Sequence, residues 1–299
     1  MDTHIRNLID GVYDIQKLRI ATGNRIVAAL RGEPDPEKEA AKTAEQKEKE
    51  QKEKDSVLAK VLKEYKRITD VYVERYNSSG PIVKAITADH TDFIKTKVDY
   101  TLVQQYMKLL DAEDGLAKVV ETEVKQHPMW DAFFADVRGC GPLMSAICLA
   151  YLDPHKARHA SSFWKYCGLD VVVNEETGEG EGRGRKHCEM RPYIDKEGNE
   201  KERKSLTYNP FVKTKLVEVL MSSFLRAKES HYGKVYYDYK HRISQREKEI
   251  SPLHRHRMAA RYAVKMFLRD MWVVWRELEG LEVSEPYEVA KLGHKPHGT

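Results

Sequence analysis

The sequence predicts a mainly α-helical protein with a small β insertion. Apolar residues recur every three or four positions, the period of amphipathic helices, in three N-terminal stretches: 4–30, 57–72 and 93–127. At 209–210 and at 251–252 a capping side chain precedes a proline, and this order favours the start of two further helices. The apolar run 171–173 is the one short strand signal, so the β content is expected to be small.

The N-terminal region, residues 1–129, is expected to form long helices joined by short turns. Asp35 and Pro36 favour a helix start, and the stretch 37–55 is almost wholly Lys, Glu, Ala and Gln, which favours helix but buries little. The cluster Asn-Ser-Ser-Gly-Pro at 77–81 indicates a turn. Such helices form a helical hairpin or a coiled coil, so a homodimer through them is expected, with packing inside one chain as the equal alternative.

Charge is distributed unevenly along the chain. The 299 residues carry a net charge of only +4, but residues 201–270 hold 17 Lys or Arg against 7 Asp or Glu. A basic C-terminal half beside a neutral-to-acidic N-terminal half is typical of a polyanion-binding domain joined to a spacer or dimerising element.

The four cysteines, without an apolar signal region or a long apolar stretch, predict a cytoplasmic protein that keeps its thiols reduced and inserts into no membrane. A zinc site is the weaker alternative, because no ligand pair has the usual close spacing. Its ligands would be Cys167, His187 and Cys188 with His155 or His159. No metal and no cofactor are therefore expected.

The segment Arg138-Gly139-Cys140-Gly141 indicates a tight turn before a helix. Two glycines two positions apart permit positive φ angles and leave backbone amides bare at the start of the next helix. Amides at a helix N-terminus bind phosphate, and a helix-hairpin-helix element grips a nucleic-acid backbone in this way. The alternative is a helical corner that needs small residues only for packing.

A stripe of cations is predicted on the last helix. Arg257, Arg261, Lys265 and Arg269 recur every four residues, and Arg255 lies near the start of the same helix. Like charges at this spacing repel each other unless phosphates or acidic side chains compensate them. Phosphate contact is the favoured interpretation, and pairing with acidic residues of the N-terminal helices is the alternative.

Further candidate cations lie between the predicted helices. Arg183, Arg185 and Lys186 follow a glycine-rich turn and can approach a nucleic-acid backbone or enter a groove. Lys213 lies off the apolar face of the helix that starts near residue 210. Disorder in the absence of a ligand is the equal alternative for Arg183, Arg185 and Lys186. The stretch 185–204 is polar and rich in charge.

The motifs of the C-terminal half occur in a characteristic order. VRGCGPL at 137–143 is followed by YLDP at 151–154 and SFWKYCGL at 162–169, and similar segments continue to the final helix. This order resembles the C-terminal domain of Piv-type DNA invertases and bridge-RNA-guided insertion-sequence transposases, a helix-hairpin-helix transposase family. The resemblance covers residues 130–280, about half of the chain.

The resemblance also implies two catalytic parts that the sequence lacks. Family members carry an N-terminal RuvC-like domain with four metal-binding acidic residues, but no apolar strand bearing an Asp occurs before residue 130. They also use a serine nucleophile after the segment matched at 162–169, whereas residues 163–204 contain no serine. No catalytic residue is therefore assigned, and the expectation leans away from an enzyme.

Taken with the resemblance, these patterns predict a helical arm at 1–129, a helix-hairpin-helix nucleic-acid-binding domain at 130–280 and a tail at 281–299. The expected function is DNA binding, with structured RNA as the other ligand, by an inactive transposase-derived protein that acts as a regulatory, architectural or accessory factor of a mobile element or phage, in the context of DNA recombination. An active recombinase with an unrecognised or partner-supplied site, and a helical protein-interaction module, remain alternatives. The predicted binding residues are Arg138, Gly139, Gly141, Arg183, Arg185, Lys186, Lys213, Arg255, Arg257, Arg261, Lys265 and Arg269.

Overall fold

The protein is mainly helical with a small β insertion, which confirms the predicted fold class. The structure is a computed structural model that describes residues 2–31, 43–76, 92–174, 178–245 and 250–283. The chain forms two compact units. The first contains residues 1–9 and 119–299, and the second contains residues 10–118.

Three long helices form the N-terminal part of the chain: α1 (Thr3–Arg31), α2 (Ala44–Tyr76) and α3 (Lys97–Gln126). They confirm the helices expected from the apolar period at these places. The predicted helix start at Asp35 and Pro36 and the predicted turn at 77–81 lie outside the described residues.

The unit formed by residues 10–118 has its own apolar core. Ile26, Val61 and Val103, one from each long helix, are all buried in one cluster. The helices therefore bury apolar faces against one another within a single chain. The Glu64 carboxylate is also buried and accepts hydrogen bonds from the backbone amides of residues 92–94, which fixes the segment that leads into α3.

A polar contact joins α1 to α3 in the same unit. The Glu113 carboxylate accepts hydrogen bonds from Arg19 Nε at 2.5 Å and from Gln16 Nε2 at 2.8 Å. The hydroxyl of Tyr106 accepts a further bond from Arg19, and these interactions raise the pKa of that arginine. Arg19 thus lies toward α3, while Leu18, expected on the apolar face of α1, is exposed.

The unit formed by residues 1–9 and 119–299 contains the remaining elements. After α3 come the short helix α4 (Pro128–Ala132), a 3₁₀ turn at Phe134–Asp136, α5 (Pro142–Tyr151) and α6 (Ala160–Tyr166). A continuous helical run consists of α7 (Pro210–Thr214), a π-helical segment at Lys215–Leu220 and α8 (Met221–Arg226). The unit is completed by α9 (His231–Ser244) and α10 (Pro252–Leu278).

Helix α5 lies at the centre of this unit. Its residues 144–150 are all buried, as expected for a helix that is apolar on every side. The long helix α10 adds large buried side chains, among them Phe267, Trp272 and Trp275. Trp272 Nε1 and the buried Arg276 both donate to the Ala157 carbonyl, so α10 also holds the loop that follows α5.

The capping signals at 209–210 and 251–252 are confirmed. The side chain of Asn209 accepts a hydrogen bond from the Val212 amide, and Ser251 caps α10 in the same way. The expected apolar face of the run 210–226 is only partly buried, because Val219 is 41% exposed. The π-helical segment explains this, since its wider turn shifts the phase of the side chains that the α-helical period predicts.

Two antiparallel hairpins form the β insertion. Strands β1 (Val171–Val173) and β2 (Gly180–Gly182) pair with Val171 opposite Gly182. Strands β3 (Cys188–Ile194) and β4 (Glu200–Leu206) pair with Cys188 opposite Leu206. The polar stretch after the loop therefore forms seven cross-strand pairs.

The turn at Gly139 and Gly141 packs closely against α8. Gly139 has a positive φ of 97°, and a Cβ atom there would lie 2.9 Å from the Phe224 ring and 3.1 Å from the Ser223 carbonyl oxygen. Gly141 has an ordinary φ of −75° and caps α5, with open space around its Cα. The positive φ expected for the pair is thus present at one glycine, where close packing also requires it.

Gly139→Ala is expected to lower the free energy of unfolding by about 2–4 kcal/mol, since it adds both backbone strain and a steric clash. Gly141→Ala is the matched control and should lower it by no more than about 1 kcal/mol, the loss typical of a poorer N-cap. Denaturant unfolding of both variants measures the difference. Equal destabilisation by the two substitutions would contradict the assignment of the close contact to Gly139.

Candidate functional site

The unit formed by residues 1–9 and 119–299 is called the C-terminal unit below. Its most exposed secondary structure is the hairpin of β3 and β4, which is called the ribbon. Of its strand residues, only Tyr193, Ser205 and Leu206 are even partly covered, so both faces of the ribbon are open. An isolated two-stranded hairpin is marginally stable in water. The ribbon therefore depends on what holds its base and on what covers its faces.

One face of the ribbon is cationic and aromatic. Because side chains alternate along a strand, Arg191, Tyr193, Lys201 and Arg203 share this face with Glu189 and Ser205. Arg191 lies directly opposite Arg203 in the register, and the guanidinium of Arg203 lies 5.2 Å from the centre of the Tyr193 ring. Like charges placed opposite each other destabilise a hairpin unless an anion lies between them.

The other face of the ribbon is apolar and weakly acidic. It carries Met190, Ile194 and Leu206 together with Lys204 and two glutamates. Met190 is 52% exposed and Ile194 is 70% exposed. The two faces therefore differ in chemistry, and an anion is attracted to the face that holds the arginine pair.

The base of the ribbon is held by an anchor cluster, defined as Asp170, Arg183, Thr207, Lys213 and Arg261. Arg183 Nε and Nη2 each donate to the Asp170 carboxylate at 2.8 Å, and Arg183 Nη1 donates to Thr207 Oγ1 at 2.6 Å. These hydrogen bonds raise the pKa of Arg183. Thr207 in turn donates to the carbonyl of His187, the residue before β3, so the cluster reaches the first strand of the ribbon.

Two helices contribute cations to the anchor cluster. Lys213 of α7 donates through Nζ to the Arg183 carbonyl at 2.6 Å and lies 4.5 Å from the centre of the Tyr208 ring. Arg261 of α10 donates to the carbonyls of Gly168 and Asp170. Three cations around one carboxylate leave an excess of positive charge in a partly buried place.

This environment lowers the pKa of both helical cations. Burial, followed by repulsion from Arg261, lowers the pKa of Lys213 to about 8. Burial also lowers the pKa of Arg261. Their side chains hold the β insertion to the helices through backbone oxygens, which is a structural use of residues predicted to bind phosphate.

The two hairpins are also joined to each other. Glu181 of β2 forms an ion pair with Lys186 and a 3.1 Å hydrogen bond between its Oε1 and Nε2 of His187. His187 Nδ1 accepts a hydrogen bond from the Gly184 amide. The loop between β2 and β3 is thus bound on both sides, while Arg185 at its tip is exposed.

The predicted stripe on α10 does not form a row of equivalent cations. Arg257 is exposed, but Arg261 belongs to the anchor cluster. The ammonium of Lys265 lies 5.2 Å from the centre of the Trp164 ring, and Arg269 donates twice to Asp270. The partners of Arg261 and Arg269 come from the C-terminal unit itself.

The remaining predicted residues lie in two other places. Arg138 is exposed beside the turn at Gly139 and forms a 3.0 Å ion pair with Glu229, while the amides of Met144 and Ser145 donate to the Gly141 carbonyl. Arg255 Nη2 donates to the Ile250 carbonyl near the start of α10. The structure therefore distributes the predicted residues over the turn, the anchor cluster and α10.

The ribbon cations Arg191, Lys201 and Arg203 were not among the predicted residues. A signal for them was present, because the five residues 195–199 include a Gly and separate two stretches of equal length, a spacing typical of a hairpin. The two strands carry many charged residues, and this composition favours an exposed polar loop over a strand. The register then shows which cations share a face.

Comparisons with protein-family models, with curated proteins and with solved structures found no match. The resemblance to the transposase family stays a prediction based on the motifs. In the parts of the chain that the structure describes, no helix is both long enough and apolar enough to cross a membrane. In the same residues no three His, Cys, Asp or Glu side chains form a group that can hold a metal ion.

The lowered pKa of Lys213 predicts a pH dependence of stability. Between its folded pKa of about 8 and its ordinary value of 10.5, the unfolded chain binds a proton at this residue and the folded protein does not, so raising the pH favours folding. The free energy of unfolding of the wild type should therefore rise relative to that of Lys213→Met across this window.

Urea unfolding at pH 7.5, 9 and 10.5 measures this difference. Lys234→Met, which removes an exposed lysine of the same unit, is the control and should not diverge from the wild type in this way. A constant difference between the wild type and Lys213→Met at all three pH values would contradict the prediction.

Proposed function

We propose that this protein binds nucleic acid, DNA in the first place, through the cationic face of the ribbon. The observation that carries the proposal is the placement of Arg191 opposite Arg203 on an exposed hairpin. The repulsion between the two guanidinium groups is relieved when a phosphate lies between them. Lys201 on the same face adds a further cation, which is paired with Asp195 of the turn at 2.6 Å. Glu189 is the one acidic strand residue on this face, and it forms a 3.8 Å ion pair with Arg191, so Arg203 is the arginine of the pair without an acidic side chain beside it among the described ion pairs.

The dimensions of the ribbon suit a groove of duplex DNA. Seven residues in each strand extend for roughly 24 Å at about 3.4 Å per residue. The major groove of B-DNA admits a two-stranded antiparallel ribbon. The anchor cluster supports the proposal, because it holds the base of the ribbon to α7 and α10. A ribbon that is already held in place loses less conformational entropy when it binds.

Exposed cations near the base of the ribbon supply further phosphate contacts. Arg185 and Lys186 lie in the loop that leads into β3, and both are exposed. Arg261 lies 3.1 Å from the position of a Cβ atom at Gly182, so α10 approaches the first hairpin closely. Arg257 is one helical turn before Arg261 and is exposed, which places a cation next to this surface.

The biological role that we propose follows from the motifs of residues 130–280. A transposase-derived protein with this arrangement of motifs serves a mobile element or phage as a regulatory, architectural or accessory factor. Structured RNA is the second ligand, since the same cationic ribbon contacts any phosphate backbone. The ribbon by itself favours shape and charge over a particular base sequence.

Replacing both Arg191 and Arg203 with Ala is expected to weaken the binding of a 26-base-pair duplex. For about four phosphate contacts, affinity of the wild type should fall roughly a hundredfold between 50 and 200 mM salt. The double variant should lower the slope of this salt dependence by about two, one for each cation removed. Its thermal stability should equal or exceed that of the wild type, because the repulsion between the two arginines is gone.

The matched control replaces Lys196 and Lys204, which removes the same charge from the turn and from the other face of the ribbon. Fluorescence anisotropy of the labelled duplex at several salt concentrations gives all the affinities. Wild-type binding that is insensitive to salt, or an equal loss in the control variant, would sink the proposal for this face.

A further inference from the structure

An open pocket of about 380 Å³ lies between α9 and α10. Tyr239 and Arg242 of α9 line it together with Tyr262 and Met266 of α10. Its size is within the range of small-molecule and nucleotide sites. The pocket combines aromatic rings, an apolar side chain and a cation, and this combination differs from that of the ribbon.

The aromatic part of the pocket is a stacked pair. The rings of Tyr239 and Tyr262 are nearly parallel, with an angle of 11° and 4.0 Å between their centres. Arg242 Cζ lies 4.9 Å from the centre of one ring and 5.5 Å from the other. A guanidinium on the outer face of one ring would be much farther from the other ring. Since the two distances are nearly equal, the guanidinium lies beside the pair and covers the outer face of neither ring.

The surroundings of the pair are fixed by hydrogen bonds. Arg269, which also lines the pocket, donates to Asp270 at 2.7 and 2.8 Å, and the Tyr232 hydroxyl donates to the other oxygen of the same carboxylate. Asp238 lines the pocket as an exposed carboxylate. The pocket thus offers a flat apolar surface, a cation at its edge and an acceptor for N–H groups.

We infer that this pocket binds an unpaired nucleobase of a single-stranded nucleic acid, an inference that rests on the proposed function. The base stacks on the tyrosine pair, and the adjoining phosphate pairs with Arg242. Asp238 disfavours a free anion as the occupant but accepts a hydrogen bond from the edge of a base. Each part of a nucleotide therefore has a matching group in the pocket.

A neighbouring groove extends the surface on which a single-stranded nucleic acid can lie. His231 lines this pocket and also the neighbouring groove, which contains Val137, Arg138 and Glu229. That groove also contains Asp136, and Arg138 within it is paired with Glu229 at 3.0 Å. A single strand that leaves the tyrosine pair along this surface reaches Arg138, one of the cations predicted from the sequence to contact phosphate.

The inference is tested with two labelled decamers of equal charge, decathymidylate and an abasic sugar-phosphate decamer. The full-length wild type is expected to bind decathymidylate about 5- to 100-fold more tightly, the gain typical of one or more stacked bases. Tyr262→Leu should remove most of this preference and leave the binding of the 26-base-pair duplex within twofold. Tyr262→Phe keeps the ring and should keep the preference.

A measurement without substitutions guards against a Tyr262→Leu variant that does not fold. A decamer with 2-aminopurine at its centre should lose fluorescence when the wild type binds it, because stacking on an aromatic ring quenches this base. Equal affinity for the two decamers, or unchanged fluorescence on binding, would overturn the inference. If the duplex is still bound in a salt-sensitive way, the proposed function stands without it. Failure to bind any of these probes would overturn both.

Discussion

The ion pair between Asp170 and Arg183 is the interaction on which the β insertion depends. The ribbon has almost no buried surface of its own, so its direction is set where Arg183 meets the carboxylate, Thr207 and the Nζ of Lys213. Burial, followed by repulsion from Arg261, lowers the pKa of Lys213, so the cluster holds this charged lysine at a cost in free energy. Its geometry nevertheless connects a strand, a helix start and the long helix α10 at one point.

The helical elements were predictable from the sequence, because the period of apolar residues and the caps at Asn209 and Ser251 are local signals. The π-helical segment was not, since its wider turn leaves no mark in an α-helical period and appears only as the exposed Val219. The ribbon was missed for another reason. Strand β3 alternates apolar and charged residues, but the first five residues of β4 are all charged, so the alternation that identifies a pair of strands is present in only one of them.

The candidate site was predictable in composition but not in arrangement. A spacing of four residues shows that Arg257, Arg261 and Lys265 share one face of a helix, but it does not show what lies opposite that face. Arg261 donates to backbone oxygens, and Lys265 lies against an indole ring. Both partners are uncharged, and both are about a hundred residues away in the sequence. The register of the ribbon, which places Arg191 opposite Arg203, likewise depends on where the chain turns.

The cysteines of this chain differ sharply in accessibility. Cys140, Cys148 and Cys167 are buried, and burial raises the pKa of each thiol, which keeps them from forming the reactive thiolate. Cys188 is exposed at the first position of β3, next to the anchor cluster. A maleimide dye added to the unaltered protein will therefore attach at the root of the ribbon, and its fluorescence will report the movement of this hairpin without any engineered residue.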